Sequence, residues 1–198
     1  MTVNRQRSAK RIFRSILALA ALLPALATSR PTAATTLMWM SLDQISHAAK
    51  LVVRARCVDR ATGWDAGEIW TFTSFEVEET WRGSAPLRIS VRLLGGRVGN
   101  ITSTVSGIPR FSAGEEVVLF LEPTPRGDFS IVSWEQGTFR ILRDARTDQE
   151  IAVQDTASFP VFDPATRRFE TAGIRNLAVA ALRARVDAAV REETGRQP

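Results

Sequence analysis

Ser41-Leu42-Asp43-Gln44-Ile45-Ser46-His47-Ala48-Ala49-Lys50-Leu51-Val52-Val53-Arg54-Ala55-Arg56-Cys57-Val58 decides the fold, because its hydrophobic period changes once, at Lys50. Ser41 and Gln44 have capping-box spacing, a hydroxyl for orphan amides and a Gln three residues on. Leu42, Ile45 and Ala49 follow at i, i+3 and i+7, which predicts a short helix to about Lys50 with one apolar face. From Leu51 the period is two. Leu51, Val53, Ala55 and Cys57 alternate with Val52, Arg54, Arg56 and Val58, the pattern of a half-buried strand.

Downstream the chain reads as β-structure. Residues 62–67 form a turn, and residues 69–81 a long aromatic strand whose apolar phase shifts. Trp70 and Phe72 have one parity, Phe75, Val77 and Trp81 the other, so a bulge is expected near Thr73 and Ser74. Leu87, Ile89, Val91 and Leu93 alternate up to Gly95-Gly96, and residues 98–106 form a weak strand or a loop. Residues 117–121 are continuously apolar, as in a central strand, and residues 129–134, 138–142 and 151–154 supply three more strands. From about Asn176 the helical period returns, with Leu177, Ala181, Val186, Ala189 and Val190 on one side and Leu182 at its edge. The expectation is a mainly β fold: a small antiparallel OB-like barrel with a short N-terminal helix and an amphipathic C-terminal helix. An open sandwich is the alternative.

The N-terminus reads as an address. Arg5, Arg7, Lys10, Arg11 and Arg14 precede an apolar run from Ile16 to Leu23, and Ala25-Leu26-Ala27 supplies an A-x-A end. That describes a Sec signal peptide over residues 1–27, with Ala34 as a later cleavage point, and a secreted or periplasmic protein. The run is far shorter than the roughly 20 residues a membrane span needs, so no permanent membrane anchor is expected. Residues 28–40 form a linker, and residues 41–198 a single β-barrel domain. The whole chain of 198 residues has a net charge of +5, but residues 1–27 hold five bases and no acids, so what remains carries 21 of each. A neutral domain has no global electrostatic reason to bind nucleic acid.

A resemblance rests on several pieces in order: residues 41–58, Glu78-Glu79-Thr80-Trp81-Arg82-Gly83, Gly95-Gly96, Gly107-Ile108-Pro109-Arg110-Phe111, residues 114–121, and Gln136-Gly137-Thr138-Phe139. This pattern resembles a family of secreted bacterial proteins of unassigned function. More distantly it is similar to netrin-like and metalloproteinase-inhibitor OB domains. The resemblance implies an OB barrel. It does not carry over the inhibitors' mechanism, which needs a Cys at the mature N-terminus, because the single Cys of this chain is Cys57.

Composition excludes several chemistries. One His and one Cys leave no paired-His site, no Cys-rich zinc site and no intramolecular disulfide. His47 is expected to face solvent, and Cys57 to be a small buried apolar residue. Asp155-Thr156-Ala157 resembles the Asp-Thr-Gly of aspartic proteases but occurs once, with Ala157 for Gly, and reads as a turn. Glu76, Glu78, Glu79, Glu115 and Glu116 read as a solvated strand face. No catalytic, cofactor-binding or metal-binding residue is assigned. Five Trp and no Tyr are unusual. Trp70, Trp81 and Trp134 are expected in the core, whereas Trp64, between Gly63 and Asp65, is expected at the surface. Trp64 and Asp65, with Arg97 and Asn100 of the Gly-rich segment, are the candidate contacts for a protein or carbohydrate partner. The chain is thus expected to be a binding or inhibitor-like module. A secreted carboxylate-dependent hydrolase and a structural envelope protein are the alternatives.

Overall fold

The computed structural model describes residues 37–154, 156, 160–171 and 173–195. The expected signal peptide, the linker up to residue 36, Asp155 and Ala157 lie outside the described residues. Helix α1 (Leu42–Ala48) carries the expected capping box: Ser41 Oγ accepts from the Gln44 amide, and the Gln44 side chain accepts from the Ser41 amide. Strands β1 (Leu51–Asp65), β2 (Glu68–Arg82) and β3 (Arg88–Leu94) follow. A small hairpin, β4 (Gly96–Val98) and β5 (Ile101–Ser103), occupies the Gly-rich segment. Then come β6 (Glu116–Pro123), β7 (Phe129–Ile131), β8 (Thr138–Arg143), β9 (Glu150–Val153), a hairpin of β10 (Val161–Asp163) and β11 (Arg168–Glu170), β12 (Leu177–Ala178), and helix α2 (Val179–Gly195).

The fold is mainly β with the two expected helices. Pairing runs β1-β2-β3-β7-β6 and returns from β6 to β1, giving a partly open, OB-like ring. Strands β8, β9 and β12 extend the sheet outward from β6. The pairings of the eight-stranded sheet are antiparallel except at one place. Strands β3 and β7 run parallel and share a single register pair, Val91 with Phe129. Side chains reinforce this seam: Arg92 of β3 pairs with Asp65 at the end of β1 and lies 3.7 Å from Asp128 beside β7.

Strands β1 and β6 are apolar on both faces because each separates two cores. Inside the ring, Leu51, Val53, Ala55 and Cys57 meet Phe75, Val91, Val117 and Leu119. Phe75 and Phe111 contact edge to face at 5.0 Å between centroids. On the outer face, Val52, Val118, Phe120 and Phe139 pack against Leu42 and Ile45 of α1 and Leu182 and Val186 of α2. Full burial of one such side chain stabilises by about 1.5–3 kcal/mol, so both helices are held by the sheet rather than by propensity.

The local differences from the sequence reading have physical causes. The bulge lies on the partner strand: Val58 has no opposite residue between the pairs Cys57–Phe75 and Asp59–Ser74. Strand β2 therefore keeps its parity from Ile69 to Val77, with Ile69, Thr73 and Phe75 buried, while Trp70 and Phe72 lie half-buried on the outer face under Arg92; two further register shifts leave Glu78 and Trp81 without an opposite residue, and Trp81 packs in the outer cluster. Strand β7 stops at Ile131 because Ser133 and Trp134 adopt left-handed φ of 52° and 54°. Left-handed Asn176 (φ 57°) delays α2 to Val179 and leaves Leu177 in β12, paired with β9. Ala181 consequently faces out, and Leu182 is wholly buried. Leu87 precedes β3 and is 82% exposed.

The end of the expected linker is fixed in place. Phe162 exchanges backbone hydrogen bonds with Leu37 and Trp39. Buried Gln136 then clamps the segment: its Oε1 accepts from the Met40 amide at 2.9 Å, and its Nε2 donates to the Met38 carbonyl at 2.9 Å and to Ser133 Oγ at 2.6 Å.

Candidate functional site

Two glycines position the site. Gly95 and Gly96 have φ of 96° and 139°, and a Cβ on Gly96 would lie 2.6 Å from Thr71 Oγ1 and 2.9 Å from Thr62 Cγ2. Without side chains they let β4 and β5 fold down onto the far end of the β1–β2 hairpin. Thr62 Oγ1 donates to the Arg97 carbonyl at 2.6 Å, and Thr71 Oγ1 to the Gly95 carbonyl at 2.7 Å. The hairpin itself turns at Ala66 and Gly67, both at positive φ, a two-residue primed turn. The expected 62–67 turn contracts to these two residues, and Trp64 and Asp65 belong to β1.

A cleft of about 490 Å³ lies between this hairpin, the inner face of β1 and β2, and the 105–111 segment. Arg60, Arg97 and Arg110 border it, all exposed. Arg60 Nη1 donates to the Phe111 carbonyl at 3.2 Å, and Arg97 Nε to the Gly99 carbonyl at 3.1 Å. Among the described residues, none of these arginines forms an ion pair and no carboxylate lines the cleft. Thr62 and Thr71 add hydroxyls, and Leu94 and Ile108 an apolar wall. The cleft combines positive charge with mixed polar and apolar surface.

The four residues singled out from sequence divide around it. Arg97 lines the cleft. Trp64 is 53% exposed and sits opposite Ile69 in the ladder. It therefore shares a face with cleft-lining Thr62 and stands at the cleft's edge. Asp65 lies on the opposite face of the hairpin, paired with Arg92 and Arg126. Asn100 is at the exposed turn between β4 and β5, away from the lining. Sequence reasoning missed Arg60 and Arg110. Arg60 has the outward parity of Arg54 and Arg56 until the extra residue Val58 reverses it and sets Arg60 opposite inward Thr73. Re-aiming a side chain is what a bulge does. Arg110 sits in an irregular segment with no periodicity to read.

Arg92 and Arg126 hold the Asp65 carboxyl below its ordinary value. A depressed carboxylate stabilises above its unfolded value and loses that contribution as pH falls through the folded one. Wild type is expected to exceed Asp65→Asn in stability at pH 7, with the difference closing below about pH 4. Chemical denaturation at both pH values checks this, and a gap that persists in acid refutes the pairing.

The remaining acids are committed elsewhere. Of the glutamates expected on a solvated face, Glu76 is exposed, whereas the others join an ion-pair ladder: Arg54 with Glu78, Glu79, Glu116 and Glu150, Arg56 with Glu78 and Glu116, and Arg140 with Glu115. Glu79 and Glu150 border a second cleft of about 450 Å³ beside Trp81 and Arg183. There Arg54 lowers the Glu150 carboxyl, the opposite of the raised acid that protonates a leaving group. His47 is not free in solvent: its Nδ1 lies 3.9 Å from the Glu193 carboxylate of α2. Cys57 is buried in the ring, and burial raises its thiol. Among the described residues no group of three His, Cys, Asp or Glu side chains is placed to hold a metal ion.

No protein-family model matches the chain, and no curated protein matches it. The site therefore has to be read from its own chemistry.

Proposed function

We propose that the protein is an exported binding or inhibitor-like module, and that its site is the arginine-bordered cleft at the end of the ring. One observation carries this reading: three arginines that have no ion-pair partner among the described residues border a sizeable cleft that none of the described carboxylates lines. The partner is a protein or a carbohydrate, with Trp64 as an exposed aromatic anchor beside the cleft. The basic, then apolar, N-terminal residues support export to the periplasm or beyond without a permanent membrane anchor. Charge balance outside residues 1–27 argues against nucleic acid. A carboxylate-dependent hydrolase has less support, because the glutamates at the second cleft are tied to Arg54 and Arg183.

Thermal-shift screening against sugars and peptides tests the site. At least one compound is expected to raise the Tm of wild type and to lose that effect in Arg97→Ala, a substitution at an exposed residue that leaves the unliganded Tm nearly unchanged. If every active compound shifts both proteins equally, the cleft is not the binding site.

A further inference from the structure

We infer that the cleft binds an acidic polysaccharide, the carboxylate of one uronic acid residue lying among Arg60, Arg97 and Arg110; this rests on the binding-module reading and names its ligand class. The charge pattern comes first. On the outer face Arg54, Arg56 and Arg92 each have a carboxylate partner, as does Arg140 of β8, whereas the three cleft arginines have none among the described residues. Like charges gathered at a concave site repel one another, and an anion placed among them relieves that repulsion. Guanidinium forks match the planar carboxylate, and such charge-assisted pairs are among the strongest hydrogen bonds available.

The neutral part of the lining selects a sugar ring. A pyranose presents hydroxyls around its edge and C–H groups on its faces. The cleft offers Thr102 and Ser103 hydroxyls on one side, and Leu94 and Ile108 on another. Thr62 and Thr71 donate their protons to backbone carbonyls, which leaves their lone pairs to accept from ligand hydroxyls. A volume of about 490 Å³ lies within the usual range for small ligands, about 300–1,000 Å³. It suits a short stretch of glycan rather than a folded domain.

The backbone argues against an extended acidic peptide. Such a peptide binds by adding a strand to a free edge. Here the carbonyls of Gly95 and Arg97 are taken by Thr71 and Thr62, and the Gly95 amide donates to the Ile69 carbonyl at 2.7 Å. Beside them the lining presents side-chain hydroxyls and guanidinium groups to a ligand. Trp64, on the same face of the hairpin and beyond the lining, is placed to stack the next sugar of the chain.

Titration calorimetry of the purified protein tests this with tetramers of galacturonate, glucuronate and mannuronate, the methyl ester of the tightest one, and poly-L-glutamate. One uronate tetramer is expected to bind. Methyl esterification, Arg97→Ala and Arg110→Ala should each weaken it about tenfold or more. Trp64→Ala should weaken it, and Trp64→Phe should retain it. Wild-type denaturation midpoints in the arginine variants show that the loss is local. Binding of none of the three tetramers overturns the inference, as does equal binding of the ester. Equal competition by poly-L-glutamate also overturns it and makes an acidic peptide the occupant. If the uronates fail while a ligand from the thermal-shift screen still depends on Arg97, the binding module stands and only its ligand class falls. If no ligand depends on Arg97, both fall.

Discussion

Leu182→Asp is expected to lower stability by about 5 kcal/mol or more, as a loss of denaturation midpoint large enough to leave much of the protein unfolded. Leu182 is wholly buried against Val52, Val118 and Phe139, where α2 crosses the outer face of the sheet. Truncating such a side chain alone costs about 2–5 kcal/mol. A carboxylate in its place adds the cost of an unpaired buried charge, against a total stability of about 5–15 kcal/mol. Ala181, one residue earlier and exposed, supplies the control: Ala181→Asp should change stability by less than about 1 kcal/mol. Equal midpoints for the two variants would mean that α2 is not docked through Leu182.

The second large effect is expected at Gln136. Gln136→Leu keeps the volume but removes the acceptor for the Met40 amide and the donor to the Met38 carbonyl. Each orphaned group costs about 1–3 kcal/mol, so a loss of about 2–6 kcal/mol is expected, with residues 37–40 released first. Faster limited proteolysis before α1, at denaturant concentrations where the ring is still folded, would report that release. Gln136→Glu supplies the sign of the effect. Its buried carboxyl would keep the acceptor and, ionised, lack the proton for Met38, so its folded value rises. Stability is then present at low pH and lost as pH climbs through that raised value. A variant as stable at pH 8 as at pH 4 would exclude the clamp.

Much of this fold is legible from local pattern. The change of period at Lys50, the continuous apolar run of β6 and the return of helical spacing near the C-terminus are each set by which faces are buried, and burial leaves its period in the chain. What escapes is whatever depends on one residue more or less. Val58 reverses the parity of β1, so Arg60, which alternation assigns outward, lines the cleft. Trp70 looks like a core residue because it is large and apolar, yet it lies 4.2 Å under the Arg92 guanidinium on the outer face, a pairing made across strands that no local window contains. Arg97 and Trp64 were readable as surface groups on Gly-rich turns. That they meet at one cleft depends on how Gly95 and Gly96 fold the hairpin back, which spacing alone does not encode.

The seam between β3 and β7 gives the ring an unequal compliance. Around most of its circumference the strands are stitched by continuous ladders, but at Val91 and Phe129 one register pair is helped by charged side chains on Arg92, Asp65, Arg126 and Asp128. A ladder of backbone bonds is nearly indifferent to pH, whereas the carboxylates of the clasp lose their charge, and with it their hold on Arg92 and Arg126, in acid. The ring thus behaves as a split collar whose clasp is electrostatic. Acid loosens the clasp while the remainder keeps its shape, and amide exchange at Val91 and Phe129 should quicken before that of Val118 or Phe120.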